Sequence, residues 1–214
     1  MLLESGTIVE RDVTQSPENL SAARRVLIVE NETLFGMGLR SQLERIGHTV
    51  VGQAATAADA MIMHHERQPD LLLIDIRLGS DDGVIVAEQL LKMRRVPALI
   101  VSAFSDKALV DRAAAAGVFG YLIKPPTTES LQAQITVAVR RQHEQEQLIQ
   151  QNRALSETLE TRKLVEKAKG ILMRRLKLDE PEAHKRLQQE SQKRRKSLPE
   201  LAKGIIESEE IAGS

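Results

Sequence analysis

No cysteine occurs in the 214 residues, so disulfides, thiolate metal sites and cysteine nucleophiles are all excluded. Tryptophan is absent as well, and the aromatic share is only 2%: Phe35, Phe104, Phe119 and Tyr121 are the complete set. No apolar run approaches the length that crosses a bilayer. The opening MLLESGTIVERDVTQSPENL has neither the basic start nor the apolar core of a signal peptide. The expectation is a cytoplasmic protein with no membrane partner, in which residues 1–24 form a flexible leader. An excess of charge is missing only in the total. Residues 161–204 hold 14 Lys and Arg against 6 Asp and Glu, an excess of +8, and the remainder of the chain carries −8. The two parts are electrically opposite, and all four aromatics lie in the acidic part.

A hydrophobic content of 42% is ordinary for a globular chain, and the length suits one sizeable core with a smaller module. From Arg25 onward short apolar, β-rich runs (VLIVE, TVVGQ, LLLID, ALIVS, FGYLI) alternate with helix-length intervals. Runs that are apolar on both faces indicate a parallel sheet covered by helices, because a sheet with one wet face shows a polar residue at every second position. An α/β fold of five strands and five helices is expected. In such sheets chemistry collects at the carboxyl ends of the strands.

Those ends carry Glu30 and Asn31, Asp75, Ser102, and Lys124 followed by Pro125. A carboxylate there, flanked by other acids, can hold a divalent cation that offsets the charge of an incoming phosphoryl group, and magnesium favours such oxygen ligands. In this reading Asp75 is the nucleophile, Glu30 a metal-side acid and Lys124 the cation that pairs with a phosphoryl oxygen. Ser102 is a hydroxyl that follows the new charge, and Tyr121 an aromatic able to change rotamer. Asp75 alone would read as a loop cap and Lys124 alone as a surface charge. Four polar residues at four strand ends, in this order, carry the argument.

Residues 25–139 resemble a two-component response regulator receiver domain. The matching motifs are VEN, LLLIDIRL with Asp75, DG at Asp82 and Gly83, VSA around Ser102, and YLIKP with Tyr121, Lys124 and Pro125. The resemblance implies a flavodoxin-like, doubly wound, five-stranded parallel sheet. It also implies phosphoryl transfer from a sensor histidine kinase to Asp75, with Mg2+ held by Glu30, Asn31, Asp75 and the backbone carbonyl of Arg77. Two departures stand out: the family usually has an acid where Asn31 stands, and a proline where GSDDG runs. An asparagine carbonyl ligates magnesium without a full negative charge, so weaker binding is expected, with Glu32 or Asp81 as substitutes if their side chains reach.

Beyond Pro126 no proline occurs until Pro181 and no glycine until Gly170, the pattern of one long helix. Within it Leu148, Asn152, Leu155 and Leu159 recur at alternating four- and three-residue steps, about two heptads of a coiled-coil seam over residues 140–160. Asp179 with Pro181 opens a second helix and Ser197 a third. Leu164, Val165, Ala168, Ile171 and Leu172 can then pack with Ala183 and Leu187 and with Leu198, Leu201, Ala202 and Ile205. His64 and His65 are adjacent, so on a helix they point apart and make no metal pair.

A basic helix is usually a solvated face, but here the charge is clustered: Lys169, Arg174 and Arg175 end one helix, and Lys193, Arg194, Arg195 and Lys196 end the next. Such clusters suit a phosphate backbone. The absence of aromatics here argues against the base-stacking platforms of RNA-recognition motifs and cold-shock folds; charge alone also fits a DNA-reading helix-turn-helix. Residues 161–210 resemble an ANTAR domain, the three-helix RNA-binding output of antitermination regulators, through RKLVEKAKGILM, EAHKRLQQES and SLPELAKGII. Gln192 departs from the methionine common there. The resemblance implies RNA contact by Lys169, Arg174, Arg175, Lys193, Arg194 and Arg195, with Gly170 as a close-approach position. The expected function is a non-enzymatic response regulator whose phosphorylated form dimerises and engages RNA hairpins in transcript leaders, promoting antitermination. The alternatives are a DNA-binding regulator and a receiver that acts through protein interaction without phosphorylation.

Overall fold

The computed structural model describes residues 22–104 and 107–212, with side chains through residue 210. The expected leader therefore lies outside the described residues as far as residue 21. The chain runs β1 (Arg25–Val29), α1 (Thr33–Arg45), β2 (Thr49–Ala54), α2 (Ala57–Arg67) and β3 (Leu71–Asp75). A small hairpin of β4 (Arg77–Leu78) and β5 (Asp81–Asp82) follows, then α3 (Gly83–Met93), β6 (Ala98–Ser102), α4 (Lys107–Ala115) and β7 (Gly120–Ile123). The last elements are α5 (Thr128–Leu176), α6 (Glu180–Arg194) and α7 (Leu198–Ala212).

Five strands form one parallel sheet in the order β2-β1-β3-β6-β7. Successive strand residues point to opposite faces, and the core follows that alternation. Leu27, Val29, Leu72, Ile74 and Ile100 face α2, α3 and α4 through Ala60, Val86, Leu90 and Ala113. Val26, Ile28, Leu71, Leu73, Leu99 and Val101 face α1 and the start of α5 through Leu39, Leu43, Leu131 and Ile135. Both faces are covered, which is why the central strands have no polar alternation. Each fully buried Leu or Ile stabilises the fold by roughly 2 kcal/mol.

The β4–β5 hairpin has no counterpart in the expected five strands. Arg77 pairs with Asp82 and Leu78 with Asp81 around the GSDDG stretch, and Gly79 adopts φ +64, a turn conformation that suits glycine. A hairpin turn thus occupies the stretch where this chain departs from the family's usual loop proline.

The chain divides into two units, Met1–Gln145 and Glu146–Ser214, and α5 begins in the first and ends in the second. In the second unit Ala168, Leu187, Leu201 and Ala202 form a buried cluster with Leu164, Val165, Leu172, Leu198 and Ile205 packed against it. Asp179 caps α6 through a reciprocal pair with Glu182, with Pro181 in the first turn. Ser197 and Glu200 exchange contacts in the same way at the start of α7. Among the described residues no helix is long and apolar enough to cross a membrane.

Candidate functional site

The ends of β1, β3, β6 and β7 bring their polar residues to one edge. Lys124, just past β7, places Nζ 2.6 Å from Glu30 Oε2 and 2.9 Å from Asp75 Oδ2. All three side chains are nearly enclosed, with exposures of 12% for Lys124, 1% for Glu30 and 7% for Asp75. Glu30 Oε1 also accepts the N–H of Glu32 at 3.0 Å, and the Phe35 ring lies 4.3 Å from the ammonium. Burial pushes the Glu30 carboxyl above its usual range, against the lowering by Lys124 and the Glu32 amide. For Lys124 burial acts to lower the value, but the hydrogen bonds it donates to Glu30 and Asp75 outweigh it and the ammonium is held above its usual range. Two carboxylates against one ammonium leave this pocket with an excess of negative charge.

Ser102 is fully buried, and its Oγ accepts the N–H of Phe104 at 3.1 Å. The Tyr121 hydroxyl donates to the Phe104 carbonyl, and the Arg77 guanidinium lies 4.2 Å from the Phe104 ring centroid. Phe104 thus joins Ser102, Tyr121 and Arg77. The sequence reading missed it and missed Phe35; the scarcity of aromatics in the chain was the available signal.

The acidic corner is smaller than the sequence allowed. Asn31 and Glu32 are exposed, and Asp81 Oδ2 accepts the N–H of Ala57 at 3.2 Å. Neither Glu32 nor Asp81 completes an acid cluster, and among the described residues no group of three metal-ligating His, Asp or Glu side chains exists. Gly83 is positioned by contact: a Cβ there would fall 1.8 Å from the Asp75 carbonyl oxygen, so only glycine lets α3 start this close to the end of β3. Asp82 caps α3 by accepting the Val84 N–H at 2.9 Å and pairs with Arg112 of α4 at 2.6 Å. Burial opposes its ionisation, yet the Arg112 contact and the amides hold Asp82 below its usual range.

The second unit separates the expected RNA residues. Arg174, Lys193, Arg194 and Arg195 are exposed, Arg194 contacts Glu190 at 3.0 Å, and Arg195 closes α6 at φ 54. Arg175 pairs with Glu209 of α7 at 2.6 Å. Lys169 is different: its side chain is 8% exposed and its Nζ lies 2.8 Å from both Glu166 and Glu180. The hydrogen bonds to Glu166 and Glu180 hold it above the usual lysine range. Its ammonium joins α5 to α6 through these two carboxylates, unlike the exposed bases around it. Around Gly170 the surroundings are open: a Cβ there would meet nothing nearer than Arg174 Nη1 at 4.0 Å among the described residues. On α5, Leu148, Asn152, Leu155 and Leu159 are all exposed, the leucines at 64%, 66% and 57%.

A doubly wound sheet with a lysine-bridged acid pair at its carboxyl edge, followed by a helical basic unit, defines a signalling regulator with a receiver fold. Residues 26–136 match the response regulator receiver domain, and residues 153–206 match the ANTAR domain. The chain belongs to the response regulators that join these two domains, a class of regulators rather than enzymes. It is 37% identical over 185 residues to the transcriptional regulatory protein PdtaR of Mycobacterium tuberculosis, covering 86% of this chain and 90% of that one. The KDP operon transcriptional regulatory protein KdpE of Escherichia coli is 36% identical over 116 residues, 54% of this chain and 51% of that protein. Among solved structures, the receiver domain of a modulated diguanylate cyclase from Desulfovibrio desulfuricans G20 superposes with a TM-score of 0.54. It shares 32% identity, over 58% of this chain and 99% of that one.

Proposed function

We propose that this chain is a cytoplasmic response regulator, phosphorylated on Asp75 by a sensor histidine kinase, that binds RNA hairpins and promotes transcription antitermination. The observation that carries the reading is Lys124 held between Glu30 and Asp75 in a chain that also matches an ANTAR domain. In our reading the functional segments are the receiver at 25–139, a coiled-coil linker at 140–160 and the RNA-binding unit at 161–210.

The donor set suits magnesium, which keeps several waters and takes few protein carboxylates. Glu30 and Asp75 would supply two, with the Asn31 side chain and the Arg77 carbonyl as neutral donors; the exposed amide and missing third acid imply weak affinity. When bound, the ion offsets the charge of the phosphoryl oxygens. Asp75 Oδ attacks the phosphorus, the bond from phosphorus to the histidine nitrogen breaks, and the electron pair returns to the imidazole. Lys124 then pairs with a phosphoryl oxygen in place of the Asp75 carboxylate. Ser102 turns its hydroxyl to the new charge, which releases the Phe104 N–H and with it the contact to Tyr121.

That rearrangement reaches α4 and β7 and biases pairing of two chains along Leu148, Asn152, Leu155 and Leu159, whose exposed apolar side chains a second copy would cover. A dimer carries two basic units, and joining two weak RNA sites raises affinity through effective concentration alone. Arg174, Lys193, Arg194 and Arg195 form the accessible part of each RNA face, Arg175 belongs to it when its pair with Glu209 opens, and Lys169 supports it from within.

The test treats the parent and Asp75→Asn with a small phosphodonor and Mg2+, then measures label, solution mass and binding to an RNA hairpin and a DNA duplex at matched salt. Label, dimerisation and tighter hairpin binding in the parent alone are expected. Equal labelling of both proteins removes Asp75 as acceptor, and a preference for duplex DNA replaces the RNA reading.

A further inference from the structure

The ANTAR match ends at residue 206, and α7 continues beyond it with Glu207, Glu209 and Glu210. Three carboxylates near a helix C-terminus, with no base in the last turn, are unfavourable because the macrodipole there is already negative. Their compensation comes from α5: Lys167 Nζ lies 3.0 Å from Glu210 Oε1, and Arg175 Nε lies 2.6 Å from Glu209 Oε2. Lys167, Ile171 and Arg175 are spaced by four residues and share one helix face. Ile171 is buried between the two bases. The two bases stand about 12 Å apart along α5, and adjacent residues of α7 reach both.

We propose that the acidic end of α7 is an internal competitor for RNA: Glu209 and Glu210 occupy Arg175 and Lys167, and RNA phosphate gains both bases by displacing them. The inference rests on the RNA-binding reading above and adds a regulated second row of contacts to it. The α6–α7 turn, with Lys193, Arg195 and Lys196 exposed, stays open for first contact. The Lys167–Glu210 pair is solvent-exposed, at 60% and 65%, whereas in the other Arg175 is 49% exposed and Glu209 half-buried at 31%, its enclosed Oε2 held by charge without an aligned hydrogen bond. Exposed pairs are weak enough to exchange for a dense row of phosphates. The affinity of the unit for RNA is thereby held below what its basic charge would permit, leaving dimerisation to supply the rest.

The experiment uses the full chain and a fluorescein-labelled RNA hairpin of arbitrary sequence at 0.1 M salt, the electrostatic contribution being independent of sequence. E209Q/E210Q is expected to bind about fivefold more tightly than the parent. E207Q, which removes one charge from the same helix, is expected to change binding by less than about twofold. In a K167Q/R175Q background, E209Q/E210Q is expected to give no gain. A gain that persists without the two bases, or no gain in their presence, overturns the competitor. If neither the parent nor any variant binds the hairpin, the RNA-binding reading itself fails and the competitor with it. Hairpin binding by the parent combined with an unchanged E209Q/E210Q leaves that reading standing and removes only the inference.

Discussion

Lys124 and Asp75, 49 residues apart in sequence, meet at 2.9 Å inside a nearly closed pocket that also holds Glu30. The lysine bridges two buried carboxylates, so its removal should be felt as stability before it is felt as chemistry. Lys124→Met is expected to cost about 3 kcal/mol, the scale for stripping one partner from a buried ion pair. Adding Glu30→Gln in the same background should recover a good part of that loss. Urea denaturation of the three proteins measures both effects; an unchanged midpoint in Lys124→Met would show that the carboxylates are not held by this ammonium.

Gly83 tests how closely the fold and the site are tied. Alanine there would drive a Cβ to 1.8 Å from the Asp75 carbonyl oxygen, and that contact is with backbone that cannot swing away. Gly83→Ala is expected to lower stability by about 1–3 kcal/mol and to slow labelling of Asp75 by a small phosphodonor. A Cβ on Gly38, inside α1, would meet nothing within 4 Å among the described residues. Gly38→Ala should instead stabilise by about 0.5–1 kcal/mol and leave labelling unchanged. Equal behaviour of the two variants in denaturation and labelling would remove the contact from the explanation.

His64 gives the receiver an acid-side weakness. The side chain is buried at 1% exposure, and its Nε2 has no hydrogen-bond partner among the described residues. Burial first, then the charges of Arg94 and His65, hold its pKa below the ordinary 6.5. The unfolded chain therefore takes up a proton at a higher pH than the folded one. The stability linked to this group is present above 6.5 and is lost as pH falls through the lower folded value. His64→Gln is expected to show a shallower fall in denaturation midpoint than the parent as pH drops below 6.5. His48, lowered by burial and by Arg24, contributes a similar slope that the variant retains. Parallel profiles for the two proteins would exclude the His64 linkage.

Leu155 carries the pairing proposal. It is 66% exposed on α5, so Leu155→Lys should leave folding of the single chain within about 0.5 kcal/mol of the parent. The same substitution puts a charge on the proposed seam, where like charges would face each other across a dimer. Solution mass after phosphodonor treatment is expected to show dimer for the parent and monomer for the variant. A variant that dimerises as readily as the parent would move the interface off this helix.

Much of the receiver could be read along the chain because its physical causes are local and periodic. Runs such as LLLID are apolar at every position because both sheet faces are covered, and strand order then carries Glu30, Asp75, Ser102 and Lys124 to one edge. Helix starts at Asp179 and Ser197 were equally legible, since a cap and its partner lie three residues apart. The β4–β5 hairpin was not, because two-residue strands leave no hydrophobic period.

The parallel sheet, the long α5 and the opposed charges of the two parts are all written in repeated short-range patterns along the chain. Which charges are free to act is set by packing between distant elements. Lys169 and Arg174 look alike in a basic run, yet Lys169 is enclosed between Glu166 and Glu180 while Arg174 faces solvent. Arg175 differs again, because a carboxylate from α7 reaches it across the unit. Charge is a property of one residue, but its availability depends on which distant carboxylates and apolar surfaces the packed helices bring against it.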